Sequence, residues 1–263
     1  ELQGFYIDSR VVDGVLYIVS RHTPTLDGFQ YYPRTEEQEN TNLSIIENLD
    51  IDGILPALII NDGEEQKLVS AENCFVPQAD ETGYWPSIIT ITAVTLSTPT
   101  EPSSSCALAS GAGLYASPNA LFLTQDQNDN GDRKTRIHKF ALSSSGATYR
   151  GSGEVDGYLG WNGSTAFKMS EKDGYFRIIT TTGSWGNLEH HLTILAENTT
   201  TESDSTQSDA TQSENESTPL ALTTIARIPN DDRPQAIGKP GENIYGVRFL
   251  GDRGYVVTFL QID

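Results

Sequence analysis

Three observations predict an all-β fold made of propeller blades. The chain is a succession of short apolar strands separated by Gly, Asp, Asn and Pro turns. Several strands are apolar at both alternating positions, so both of their faces are covered, as in stacked sheets. The strands also repeat, at intervals that suit several short strands per unit.

The repeat runs in order along the chain. Asp13-Gly14-Val15-Leu16-Tyr17-Ile18-Val19-Ser20 is the first copy. Pro118-Asn119-Ala120-Leu121-Phe122-Leu123-Thr124 is a shorter second one. Asp173-Gly174-Tyr175-Phe176-Arg177-Ile178-Ile179-Thr180 is the third, and Gly251-Asp252-Arg253-Gly254-Tyr255-Val256-Val257-Thr258 the fourth. Each is a turn followed by a strand that ends in a hydroxyl. Arg10 and Arg248 both stand seven residues before the repeat tyrosine. A second unit pairs Ile91 to Ser97 with Ile137 to Ser143. Phe122 and Arg177 are 55 residues apart, while the intervals on either side are lengthened by insertions. About three and a half blades are expected in residues 1–263, as one partial propeller domain.

Two insertions interrupt the repeats. Residues 22–87 read as an excursion on the propeller rim, with one short helix. Thr35-Glu36-Glu37-Gln38 is a capping-box pattern, and Leu43, Ile45, Ile46 and Leu49 mark the expected inward helical face. Residues 197–219 carry six acids, no base and no apolar face, and read as a disordered loop rich in Ser and Thr.

Composition limits the function. The net charge of −19 argues against a nucleic-acid binder of the usual basic kind. No apolar run reaches about 18 residues, so no membrane-spanning helix is expected in this segment. Acidity, few Cys and Met, and abundant Ser, Thr, Asn and Gly suggest an extracellular, periplasmic or cell-surface location. The chain starts at Glu1 with no charged leader and apolar core, so it reads as a processed or excised segment.

The stretches FYIDSRVVDGVLYIVS, DGILPAL, KLVSAENCFVP, ITAVTLS, GLYASPNALFLTQ, TRIHKFALS, GYFRIITTTG and IYGVRFLGDRGYVVTFLQID together carry a family likeness. The chain resembles secreted bacterial and archaeal proteins with a C-terminal β-propeller domain, one distantly related to WD-type repeats. The resemblance covers nearly everything outside residues 197–219. It implies the propeller fold and an exported or membrane-anchored location. It brings no assigned activity and so no catalytic residue. Members are longer than this chain. A closed ring takes about 4–8 blades, and an open arc leaves apolar faces bare. The remaining blades are therefore expected from the parent chain or from a second copy.

Candidate chemistry is sparse. Asp126, Asn128, Asn130 and Asp132 present oxygen atoms at alternate positions around Gly131, like the first half of a calcium loop. The twelfth position is Ile137 instead of Glu, and a polar hairpin turn explains the same residues. No other cofactor is suggested. His22, His138, His190 and His191 show no metal-ligand spacing, and His190 and His191 point to opposite faces of one strand. Cys74 and Cys106 leave room for one disulfide closing about 30 residues, worth about 3 kcal/mol. No Gly-x-Ser-x-Gly elbow occurs. Asp13, Asp173 and Asp252 read as turn formers, and Arg10 and Arg248 as packing or turn-bracing residues. Trp85, Trp161, Trp185, Tyr31, Tyr32 and Tyr84 suit either burial at blade edges or stacking on a sugar or protein. Asn42, Asn162, Asn198 and Asn215 match the glycosylation pattern and are read as accidental.

The function expected is an extracytoplasmic propeller that binds or scaffolds a protein or glycan, with loops as the contact surface. The alternative is a secreted hydrolase or lyase with acid–base residues in the central channel.

Overall fold

The computed structural model describes residues 1–61, 63–76, 87–109, 113–129, 131–160, 164–184, 186–198 and 221–260. Two compact units are present. The first is Glu1–Ser110 with Ser143–Thr148, and the second is Gly111–Leu142 with Tyr149–Asp263.

The first unit begins with β1 (Phe5–Val12) and β2 (Val15–His22), joined through Asp13 and Gly14. Both turn residues take positive φ, 48° and 80°, the requirement of the hairpin turn whose twist matches its strands. The helix α1 (Glu36–Glu47) follows, then β3 (Ala57–Ile59), β4 (Glu65–Lys67) and β5 (Cys74–Phe75). The chain returns as β6 (Ile88–Thr95) and β7 (Ser103–Leu108), giving a sheet of order β1-β2-β6-β7-β5. β3 and β4 pair separately. Val15, Tyr17 and Val19 are buried beside Ile89, Ile91 and Ala93, with Tyr17 opposite Ala93 and Val19 opposite Ile91. Burial raises the Tyr17 pKa, and its hydroxyl donates to the Ser143 carbonyl at 2.5 Å.

The excursion is anchored by a small core of Val69, Ile88 and Cys106, with Leu55, Cys74 and Leu108 against it. β5 runs parallel to β7 with Cys74 directly opposite Cys106, Cα atoms 4.4 Å apart, and the two are disulfide-bonded across 32 residues.

Helix α1 starts where the sequence predicts. Gln38 N–H donates to the Thr35 hydroxyl at 3.3 Å. The Gln38 side chain accepts from Arg34 N–H, one residue upstream of the reciprocal bond in a capping box. The inward face differs from the expectation. Asn42 is its buried centre, flanked by half-buried Gln38, Ile45 and Leu49, while Leu43 and Ile46 are exposed. The Asn42 amide accepts from Gln30 N–H and donates to Gln30 C=O, both at 2.8 Å. An extended backbone beside the helix needs one donor and one acceptor, and an amide supplies both.

Three more sheets follow along the chain. β8 (Gly113–Ala116), β9 (Ala120–Asp129), β10 (Asp132–Ser143) and β11 (Gly146–Asp156) form the first, in chain order. β12 (Met169–Lys172), β13 (Tyr175–Ser184), β14 (Asn187–Glu197) and β15 (Leu222–Ile228) form the second, also in chain order. β16 (Asn243–Leu250) and β17 (Arg253–Phe259) form the third. With the five-stranded sheet, the described residues hold three sheets of four or five strands and the β16–β17 pair, besides the separate β3–β4 pair, the propeller-like pattern the repeats predict. The Tyr17, Phe122, Arg177 and Tyr255 segments are each the second strand of a different sheet.

β13 is covered on both sides. Phe176 and Ile178 join Ala120, Phe122, Ile137, Val155 and Leu195 in one core. The rings of Phe122 and Phe176 stack with centroids 4.0 Å apart. Ile179 belongs to a different core with Ile244 and Val247, flanked by Leu192, Phe249 and Val256. The apolar doubling of the strand sequence therefore reports sheet-on-sheet packing inside the second unit.

The repeat extends to irregularities. β1–β2 and β16–β17 each slip register once, at Ile7 and at Tyr245, which are 238 residues apart like Tyr17 and Tyr255. Arg10 lies opposite Tyr17, and Arg248 opposite Tyr255. The turns vary more. Asp173 and Gly174 repeat the double positive φ, whereas only Gly251 has positive φ in the last turn.

Candidate functional site

The excursion of the first unit carries several exposed aromatic and aliphatic side chains that sequence reasoning singled out. Tyr32 is 84% exposed, and Tyr31, Leu43 and Ile46 are about half exposed. Tyr31 is held by an edge-on contact with Phe29 at 5.2 Å and a long bond to the Pro24 carbonyl. The clamp from Asn42 fixes Gln30, the residue before it. An open depression of about 600 Å³ lies along α1, lined by Glu36, Glu37, Asn40, Thr41, Ser44 and Ile45. Helix α1 has Glu36, Glu37 and Glu39 in its first turn and no base in its last. This surface is partly apolar and partly acidic.

Trp85, Trp161, Trp185 and Tyr84 lie outside the described residues, as do positions 199–219 of the loop expected at 197–219; its first two residues are ordered instead, Glu197 ending β14 and Asn198 donating its N–H to the Ala221 carbonyl. Asn42 cannot be a glycosylation acceptor in the fold, because its amide is buried and bonded on both sides.

The candidate calcium residues sit on paired strands. Asp126 is opposite Thr135, Asn128 opposite Arg133, and Asp132 opposite Asp129, so the chain reverses in two residues. Asn128 accepts from Gly131 N–H at 3.2 Å, and Asp126 lies 3.7 Å from Arg133 and accepts from Thr135. Asn130 lies outside the described residues. A ladder keeps this backbone extended, whereas a calcium loop wraps oxygens around one point. Among the described residues, no three His, Cys, Asp or Glu side chains converge as a metal site.

Three of the four histidines bond neighbouring protein groups. His190 gives its Nε2 hydrogen to the Glu242 carbonyl at 2.8 Å, which leaves Nδ1 to accept from Thr181 at 2.9 Å. His191 Nε2 is 3.0 Å from the Thr182 hydroxyl, and His138 Nδ1 is 3.1 Å from Tyr149 Oη. Burial lowers the pKa of both His190 and His191.

Sequence reasoning missed Lys168. It lies in a short 3-10 turn, Thr165–Lys168, and is only 4% exposed. Its ammonium donates to the Leu159 carbonyl. Burial lowers its pKa, with Asp126 pulling the other way. Asp126 is raised by burial against the opposing pull of Arg133, Thr135 and Lys168. Arg133 in turn stacks on the Tyr158 ring at 3.5 Å. These groups brace the loop after β11, and each has a protein partner. One lysine after a phenylalanine gives no sequence signal of this role.

A second polar brace joins neighbouring sheets. Glu197 accepts from Lys139 and Arg150, both at 2.9 Å. Burial raises the Glu197 pKa, but the two cations outweigh it and the net shift is downward. Arg10 bonds Asp8 and the Ser9 carbonyl beside it, and Arg248 lies over the Phe167 ring at 5.4 Å. The two equivalent arginines thus make different contacts, and both are exposed.

A family model described as Beta propeller domain matches residues 1–263. Over 115 residues, 43% of the chain, the sequence is 30% identical to an uncharacterized protein of Methanocaldococcus jannaschii. The matched stretch is 13% of that relative's length.

Proposed function

The chain belongs to the beta propeller domain family, and from that premise we propose that it is a binding or scaffold module for a protein partner, working outside the cytoplasm. The observation that carries the reading is the contrast between two kinds of side chain. Buried or half-buried polar groups such as Lys168, His190 and Glu197 are bonded to other protein groups. Large apolar groups on the excursion, Tyr31, Tyr32, Leu43 and Ile46, face solvent. Exposed tyrosine and aliphatic groups on a braced scaffold have the composition of an interaction surface. The aliphatic pair on α1 favours a protein over a sugar, which stacks on rings. The Cys74–Cys106 disulfide supports an oxidising compartment.

A hydrolase or lyase needs acid and base groups converging on one cleft. Lys168 acts electrostatically on both Asp126 and His190, yet the bonds of the three go to Thr135, Leu159 and Glu242. Binding is therefore the better supported reading.

The test places a photo-crosslinking amino acid at Tyr32 in the producing cell. A discrete protein adduct, lost when Leu43→Asp and Ile46→Asp are introduced, supports the reading. Adducts unchanged by the double variant refute it, and selective retention on a glycan array moves the assignment to sugars.

A further inference from the structure

Charge narrows the kind of partner that the excursion takes, an inference that rests on the binding reading above. Residues 22–87 hold thirteen Asp and Glu against two bases, Arg34 and Lys67. Residues 197–219 hold six further acids and no base. Outside these two insertions the chain is nearly balanced, with 17 acids and 15 bases. The acidity of the protein is therefore not a property of its repeats, and the excursion carries the larger part of it.

The carboxylates of α1 are also available. Carboxylates on the strands face cations: Glu154 lies 2.7 Å from Lys134, and Asp156 lies 2.6 Å from Arg227. In the excursion Lys67 is taken by Asp52 at 2.6 Å. Among the described residues Glu36, Glu37, Glu39 and Glu47 have no ion pair. Glu36, Glu39, Leu43, Ile46 and Glu47 fall at helical spacings that share one face. Leu43 and Ile46 are 57% and 52% exposed there. The open depression along α1 adjoins this face through Glu36, with Ile45 also in its wall.

This arrangement selects among occupants. An acidic polymer or anionic surface is repelled. A second copy would set the same acids against themselves, because a two-fold contact uses one patch twice. A wholly apolar segment would strip water from the carboxylates and give them no partner. A segment with aliphatic residues between lysines or arginines satisfies both kinds of group. The stem of such a cation also covers apolar surface such as Ile45 while its head stays with the acids.

We propose that the exposed face of α1 docks a basic amphipathic segment of a partner protein. Its aliphatic residues cover Leu43 and Ile46, and its Lys or Arg side chains pair with Glu36, Glu39 and Glu47. The charges steer and orient the encounter, and the apolar centre holds the complex.

The probe is a synthetic Leu–Lys amphipathic peptide of about 18 residues, long enough to form a helix, added to the intact 263-residue protein. Saturable one-to-one binding is expected by calorimetry, weakening at least about tenfold between about 50 and 200 mM salt. The triple variant Glu36→Gln, Glu39→Gln, Glu47→Gln should bind at least about tenfold more weakly, with thermal melting showing that it is folded. Leu43→Asn with Ile46→Asn, which removes the aliphatic groups at constant charge, should weaken binding similarly. No binding overturns the proposal. So does equal binding of a Leu–Glu peptide, which lacks the cations, or of oligolysine, which lacks the apolar groups. Undiminished binding to the triple variant assigns the peptide to acids elsewhere and also overturns it. In the producing cell, a Tyr32 adduct abolished by Leu43→Asp and Ile46→Asp but kept by the triple glutamine variant sinks the basic partner alone and leaves the binding reading standing. An adduct between two copies of this chain overturns the basic partner as well.

Discussion

Ile178 and Ile179 are neighbours on β13 that point into different cores, and both are 0–1% exposed. Replacing each by alanine reads the two faces of one strand separately. Isoleucine to alanine removes three carbon atoms, about 2.4 kcal/mol of transfer free energy at about 0.8 kcal/mol per group. The residual cavity adds to this, and such substitutions cost about 2–5 kcal/mol overall. Each variant should therefore lose about 3 kcal/mol, measured as a lower urea midpoint at unchanged slope. Val257→Ala, at an exposed site, should change stability by less than about 0.5 kcal/mol. A loss below about 1 kcal/mol for either Ile178→Ala or Ile179→Ala would mean that one side of β13 is not packed, and the stacked-sheet account would fail.

The other predictions concern polar groups and the disulfide. Glu197→Gln leaves Lys139 without its carboxylate in a nearly buried position, and should cost about 2–3 kcal/mol. Because the folded Glu197 pKa is depressed, its contribution is present above the unfolded value and lost as pH falls through the folded one. An unaltered acid limb in the variant's stability curve would argue against this brace. His22, His190 and His191 all have pKa values lowered, by burial first. The unfolded chain then binds more protons than the folded one below about pH 6.5, so melting temperature should fall as pH drops from 6.5 toward 5. A flat profile from pH 7.5 to 5 would contradict it. Reduction of Cys74–Cys106 should destabilise the protein by about 3 kcal/mol. Two titratable thiols in unreduced, denatured protein would remove the bond altogether.

What the sequence discloses depends on the physics behind each feature. Strand doubling at Phe176, Ile178 and Ile179 was legible because sheets stacked on both sides demand apolar residues at every position. Thr35 marks the helix start because a cap is a local bond. The inward face of α1 was not legible. Hydrophobicity points to Leu43 and Ile46, but the neighbour is the bare backbone of Gln30, which an amide satisfies and a leucine does not. Arg177 occupies a repeat position held by Tyr17, Phe122 and Tyr255, and the sequence gives no reason for the change. In the fold it reaches the Ser170 hydroxyl across its own hairpin, and the Gly251 carbonyl and Phe249 ring, which are more than 70 residues away in the chain. Lys168 is hidden from sequence for the same reason.

The strands flanking each long insertion pair directly with one another. His22 faces Ile88, and Glu197 faces Leu222, with Asn198 N–H on the Ala221 carbonyl just beyond. The chain therefore enters and leaves each insertion side by side, through a zipped neck. Lengthening such a connection adds closure entropy only logarithmically, about 0.6 kcal/mol per doubling. Either neck should accept a grafted guest domain whose termini lie close together, which makes these hairpins natural ports for displaying a foreign polypeptide.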